Sequence, residues 1–193
     1  YIFKFVISFL DKILLKEITV FDDRKMNKLD VSLAEIFSEW VCKLNIEDIP
    51  EEVINKLQLI VMDSFGLMIS AKKEPYIKSL INTLHDNGEC TLVGHNKKVS
   101  AFNASIINGT AIHGEDFDDT FEGTPVHVGA VMVPAILSSV QAKKLDGESF
   151  LKGLVVGSEL ICRLALVAPT AVHRQGFHPT AIFGAFGSSI GVS

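Results

Sequence analysis

Cysteine is scarce and scattered in this 193-residue sequence. Cys42, Cys90 and Cys162 form no Cys-x-x-Cys pair, and an odd, widely spaced set offers neither a disulfide framework nor a thiolate metal site. Reduced thiols of this kind suit a cytoplasmic protein. Lys and Arg never run longer than a pair, and the net charge is -5, which weighs against nucleic acid and an anionic membrane surface as partners. The apolar start, Tyr1 to Leu15, is interrupted by Lys4, Asp11 and Lys12, is too short to span a bilayer, and lacks a small-residue cleavage signal. There is no Walker loop, no Gly-x-Gly-x-x-Gly, no His-Glu-x-x-His and no internal repeat. These absences exclude the best-marked nucleotide and metalloprotease sites. What is present is an ordinary globular balance, 48% hydrophobic and 21% charged, long enough for one sizeable core.

The apolar periodicity is helical almost throughout. Residues 1–25 read as an extra segment that connects poorly to the rest of the chain, with Met26 as the expected native initiator. Ser32 and Glu35 stand at capping-box spacing before the stripe Leu33, Ile36, Phe37, Trp40, Val41 and Leu44. Pro50 opens a second helix, apolar nearly all round and therefore expected to be buried, in which Asp63 calls for a structural partner. A shorter helix from Pro75 to His85 leads through the Asp86-Asn87-Gly88 turn to a brief strand at Cys90 to Val93 and a loop carrying an exposed His95. Ser100 caps the next helix, which runs to about His113, with His113 on its apolar side as a core histidine. Pro134 lies in an apolar segment, where a first turn or a kink would tolerate it. Asp146-Gly147 starts a helix ended by Pro169, on which Glu159 and Arg163 form a structural i,i+4 pair. Pro179 begins the last helix behind His178, and Gly184, Gly187 and Ser188 give it a small face for close backbone approach. About seven helices with at most one strand pair make the class mainly α.

One stretch stands apart. From Asn108 to Gly129 the chain collects Asp116, Asp118, Asp119, Thr120, His113 and His127 between apolar helices. Like charges about 4 Å apart repel by roughly 4 kcal/mol at an effective dielectric near 20, so such a string is either a solvated loop or a site. If the helix before it continues, Asp116 and Thr120 share a face at i,i+4 with Asp119 beside them, and their side chains converge. His127, beyond the short Glu122-Gly123-Thr124-Pro125 loop, can fold back on the acids, and an imidazole beside carboxylates suits proton transfer at a carbon acid. His178 adds a second imidazole, with a helix N-terminus behind it that favours an anion. The string Asp116-Phe-Asp118-Asp119-Thr120 also fits the Asp-x-Asp-x-Thr of magnesium-dependent phosphatases. That motif needs a buried strand in front of it, and Asn108-Gly-Thr-Ala-Ile-His113-Gly is not one.

Taken together, Asn108-Gly-Thr-Ala-Ile-His113, Asp116-Phe-Asp-Asp-Thr120, His127 with Gly129 and Pro134-Ala135, Gly157-Ser-Glu159 with Arg163, and Gly176-Phe-His178-Pro-Thr180 resemble the MmgE/PrpD family, in order from about Leu33 to the end. Val128-Gly129 is a small departure from the His-Pro common there, and it leaves His127 in register. The resemblance implies a multi-helix domain over residues 26–193, truncated at its C-terminal end and lacking the family's smaller α+β lid domain, and a homodimer. It implies small di- or tricarboxylate substrates and neither metal nor organic cofactor. It also implies proton transfer alpha to a carboxylate, with 2-methylcitrate dehydration the first expectation and cis-aconitate decarboxylation or iminodisuccinate epimerisation the alternatives. By position, His127, His178 and Asp116 are the expected catalytic residues, with Thr120, Asp119 and Thr180 at the substrate. The family's substrate-holding lysines fall after Ser193, so this stretch alone is expected to be poorly active. A reading from another class is a non-catalytic helical pairing module.

Overall fold

The computed structural model describes residues 32–193, so the expectations for the extra segment 1–25 and for Met26 fall outside the described residues. Eight α-helices and one two-stranded antiparallel ribbon occupy the described chain. Helix α1 is Leu33–Lys43, followed by a 3-10 turn at Ile46–Asp48. Helices α2 and α3 are Glu51–Ala71 and Pro75–Asn82, and the ribbon is β1, Cys90–Thr91, against β2, Lys98–Val99. Helices α4 to α8 then run as Ala101–His113, Val128–Lys143, Gly147–Val167, Ala171–Arg174 and Pro179–Gly191.

The caps explain most of the boundaries. Ser32 and Glu35 form the full capping box, the Ser100 side chain accepts from the Asn103 N–H, and Asp146 accepts from the Ser149 N–H. Each satisfies a donor that the first helical turn leaves open. Asp86 braces the start of α4, accepting from the Ser100 N–H at 3.1 Å and from Asn103 Nδ2 at 2.7 Å. Asn108, at the head of the polar stretch, is a structural residue. Buried within α4, it donates to the Thr91 carbonyl at 2.9 Å and accepts from the Val93 N–H at 3.1 Å, tying the ribbon to the helix.

Helix α5 lies at the centre, packed against α2, α4, α6, α8 and β1. It has to be apolar on every side, which explains its lack of a polar stripe. Pro134 lies inside α5 rather than in its first turn; it has no N–H for the Ala130 carbonyl, and a Cβ on Gly109 of α4 would sit 3.2 Å from that oxygen. The tightest packing is between α6 and α8. A Cβ on Gly157 would approach the Gly187 carbonyl to 2.8 Å, and one on Gly187 would approach the Gly157 carbonyl equally closely. Glu159 is fully buried on α6 and is hydrogen-bonded to Arg163 one turn on, the expected structural pair.

Three expectations fail on packing. Helix α2 is long and apolar enough to cross a membrane by length and composition, yet it is only one-sidedly buried. Val53, Leu57, Ile60 and Met68 enter the core while Leu59, Met62 and Ile69 are exposed, and Asp63 sits on the open side. His95 is half-buried, and burial, reinforced by Lys72, holds its pKa below the ordinary value. His113 is no core histidine: it stands at the end of α4 with about a third of its side chain exposed.

Candidate functional site

Three helix ends meet at one place: the last turn of α4, the first turn of central helix α5 and the first turn of α8. Helix α4 stops at His113 because the chain turns at Gly114, where a Cβ would press within 2.5 Å of the Tyr76 hydroxyl. Tyr76 donates to Glu115 at 2.8 Å, pinning the turn, and burial with that bond raises its pKa to about 12. The helix does not continue to Asp116, whose φ of 57° is left-handed, a conformation Asp tolerates better than most residues. The expected i,i+4 face of Asp116 and Thr120 is therefore absent, and Thr120 is exposed. A tight turn, closed by the Phe121 N–H donating to the Val126 carbonyl at 2.9 Å, brings His127 back to the acids, as its position after the loop predicted.

Among the described residues, three imidazoles converge. The His113 and His127 ring centroids are 4.7 Å apart, His113 and His178 are 5.4 Å apart, and His127 and His178 are 6.0 Å apart. Asp118, nearly fully buried, lies beneath them with Oδ2 at 2.9 Å from His113 Nδ1 and Oδ1 at 3.4 Å from His127 Nδ1. The first is a well-formed hydrogen bond; the second is an ion-pair contact without hydrogen-bond alignment. His113 Nε2 faces His178 Nε2 at 3.3 Å. His178 is the N-cap of α8, and its Nδ1 accepts from the Thr180 N–H at 3.2 Å. Its pKa lies below the ordinary histidine value, first through burial and then through His113 and His127.

The residues expected at the substrate divide. Thr180 is buried, and its hydroxyl accepts from the His127 N–H at 3.0 Å, so it couples the two histidines. Asp119 lies under the first turn of α5, accepting from the Gly129 N–H at 2.8 Å, and a Cβ at Gly129 would collide with its carboxylate. Burial lifts the Asp119 pKa to about 6, against the lowering effect of that hydrogen bond and with Asp118 adding to the rise. Asp116 stays with the cluster: one of its carboxylate oxygens lies within 4.8 Å of donor atoms of His113, Asp118 and His127. His113, His127 and His178 form an overlapping group of three within the same 4.8 Å, compact enough for one cation. The Thr180 N–H already takes the Nδ1 lone pair of His178, while Asp118 at Nδ1 of His113 leaves Nε2 as that ring's remaining site.

Sequence reasoning passed over His113 and Asp118. Both were inside the matched motif, and the usable signal was their five-residue spacing across a helix end. Two clefts of about 350 and 340 Å³ flank His178, one lined by Thr110, His113 and Thr180, the other by His127, His173 and Phe177. This is the scale of small-molecule sites. Among the described residues, neither cleft is lined by Lys or Arg. The arrangement can move protons at the wall of an open cleft, and a polyanion there would need cations from elsewhere.

Comparison with known proteins gives this geometry a context. The chain is 26% identical over 156 residues to a cis-aconitate decarboxylase-like protein, oryM, of Aspergillus oryzae, covering 75% of this chain and 32% of that protein. It is 21% identical over 155 residues to cis-aconitate decarboxylase of Aspergillus terreus, covering 76% and 32%. It is 27% identical over 171 residues to cis-aconitate decarboxylase of Homo sapiens, covering 84% and 35%. The chain thus spans about a third of the length of these curated relatives. The model of the MmgE/PrpD N-terminal domain matches residues 35–193, and with that match over most of its length the chain belongs to the MmgE/PrpD family.

Proposed function

We propose that this domain is the histidine-bearing half of a lyase site for small di- or tricarboxylates, with a cis-aconitate-type decarboxylation as the first reaction to test. The observation that supports it most is the buried Asp118 beneath three convergent imidazoles beside a cleft, in a chain whose relatives are named for that reaction. In such a reaction a proton is delivered to one carbon of the double bond. The bond to the carboxylate carried on the saturated carbon next to that double bond breaks, carbon dioxide leaves, and the released electron pair forms the shifted double bond. His127, His178 and Asp116 are proposed to contact substrate or to position the proton-transferring group, and Thr120, exposed in the same loop, to meet substrate. Dehydration of 2-methylcitrate draws on the same groups, since it too moves a proton at a carbon next to a carboxylate. The cations for the carboxylates are proposed to come from residues other than those lining the clefts, since among the described residues no Lys or Arg lines either one.

A second reading, a non-catalytic helical pairing module, is favoured by the exposed apolar stripe Leu59, Met62 and Ile69 on α2. Turnover of cis-aconitate and 2-methylcitrate by the full-length gene product separates the two readings. Activity with either acid that is lost in both His127→Ala and His178→Ala supports the enzyme; no activity with either supports the module.

A further inference from the structure

We infer, resting on the enzymatic reading above, that the proton-transferring base of this site is His113, held by Asp118, and that His178 serves it as a neutral N–H donor to the substrate.

Some groups in the cluster can only donate, and they fix the tautomers of the rest. A backbone N–H has no lone pair, so the Thr180 N–H, 3.2 Å from His178 Nδ1, requires that nitrogen to be unprotonated. A neutral His178 ring then carries its proton on Nε2. That N–H points at His113 Nε2, 3.3 Å away, which must offer a lone pair. Neutral His113 therefore carries its own proton on Nδ1, where Asp118 Oδ2 accepts it at 2.9 Å. Every donor in the chain from Asp118 to Thr180 finds an acceptor, and no alternative tautomer of either ring achieves this.

The consequences for the two rings are opposite. A second proton on His178 would have to go to Nδ1, against the Thr180 N–H, so this ring is held neutral and is suited to giving a hydrogen bond rather than exchanging a proton. Burial and the neighbouring His113 and His127 act in the same direction. His113 has its Nε2 lone pair on the cleft wall and a buried carboxylate behind Nδ1, the arrangement in which a carboxylate orients an imidazole base and steadies the cation it becomes. His127 makes no aligned bond to Asp118 and is held through its backbone N–H by Thr180. When substrate enters, one of its carboxylate oxygens replaces His113 Nε2 as the acceptor for His178 Nε2–H. For proton removal, the C–H bond beside that carboxylate breaks, its proton forms the new bond to His113 Nε2, and the electron pair is left on the carbon and carboxylate. For decarboxylation the protonated His113 delivers the proton in the opposite direction. The charged or titratable groups around His113 are Asp116, Asp118, His127, His178 and, through the Tyr76 turn, Glu115.

Glutamine separates the roles, because its amide retains a donor but cannot exchange a proton. In the full-length gene product, His113→Gln is expected to lower kcat by roughly 10²-fold or more, with KM changed far less and the limb of the pH–rate profile set by its ionisation lost, the acidic limb for proton removal and the basic limb for decarboxylation. His178→Gln is expected to stay within about 10-fold of wild type and to keep that limb. Two-bond 15N–1H correlation spectra of the 15N-histidine-labelled protein are expected to show the Nδ1–H tautomer at His113 and the Nε2–H tautomer at His178. A His178→Gln variant as impaired as His113→Gln, or a His113→Gln variant at the wild-type rate, overturns the assignment, as do reversed tautomers. If the wild-type protein turns over none of the carboxylates, the enzymatic reading has failed, and the tautomers alone then decide whether the predicted donor chain exists.

Discussion

The two ends of α8 are built on opposite principles. Its body is packed against α6 so closely that Gly157 and Gly187 leave no room for a Cβ, while its first turn holds Thr180 and His178 in a hydrogen-bonded network beside a cleft. The packed part is fixed by shape, and the N-terminal part by which nitrogen bears a proton. One helix therefore transmits the geometry of the core to the site, and the two ends should fail differently when altered. Damage to the seam should lower stability and carry activity down with it; damage to the cluster should remove activity and spare the fold.

The largest expected effect is chemical. His178→Ala and His127→Ala in the full-length gene product should each lower turnover by roughly 10³-fold, about 4 kcal/mol of transition-state stabilisation, with His127→Ala unfolding near wild type and His178→Ala losing about 1 kcal/mol as the N-cap of α8. Turnover assays paired with thermal melts check this. Next comes the seam: Gly157→Ala places a methyl against the Gly187 carbonyl and the Met132 sulfur and should cost about 1 to 3 kcal/mol of stability. Denaturant unfolding measures it, and a smaller proportional loss of activity should accompany the movement of α8.

A comparable effect is expected from Asp119, which serves the core more than the cleft. Its folded pKa of about 6 lies above the ordinary value of 3.8, so its contribution to stability is fully present below pH 3.8 and is lost as pH rises through 6. Across that window wild-type stability should fall by roughly 2 to 3 kcal/mol from this group, and Asp119→Asn, which can still accept from Gly129, should flatten the profile. The smallest effect is at the hinge between the two regions. Thr180→Val removes the acceptor for the His127 N–H and should cost about 1 kcal/mol of stability, with a loss of activity larger than that figure implies because His127 loses its position. Equilibrium unfolding and kcat measured on the same preparation test both halves of that statement.

The same division governs what could be read from the sequence. The seam was legible, since Gly184, Gly187 and Ser188 announce a small face and Pro179 fixes where the helix starts. Ser32, Ser100 and Asp146 marked helix beginnings because capping is local chemistry. The centrality of α5 was not legible, because an all-round apolar helix says only that it is buried. The α2 face carrying Leu59, Met62 and Ile69 read as buried for the same reason and proved exposed. At the candidate site, the motif picked out the stretch that the structure folds beside His178, but the placement of each residue depended on how the loop between α4 and α5 turns. The left-handed Asp116 broke the expected helical face, Asp118 went inward beneath His113 and His127, and Asp119 turned away to brace α5. No periodicity encodes those directions, because each is set by long-range partners in α5 and α8.

The central claim is that this histidine cluster moves protons at a carbon next to a carboxylate. Its most direct test is deuterium incorporation into the carbon skeleton when the full-length gene product is given cis-aconitate in heavy water, read by mass spectrometry alongside the His113→Gln, His127→Ala and His178→Ala variants. The account predicts incorporation by the wild-type protein and its loss in His113→Gln and in both alanine variants. Incorporation at the wild-type rate in all three variants would contradict it.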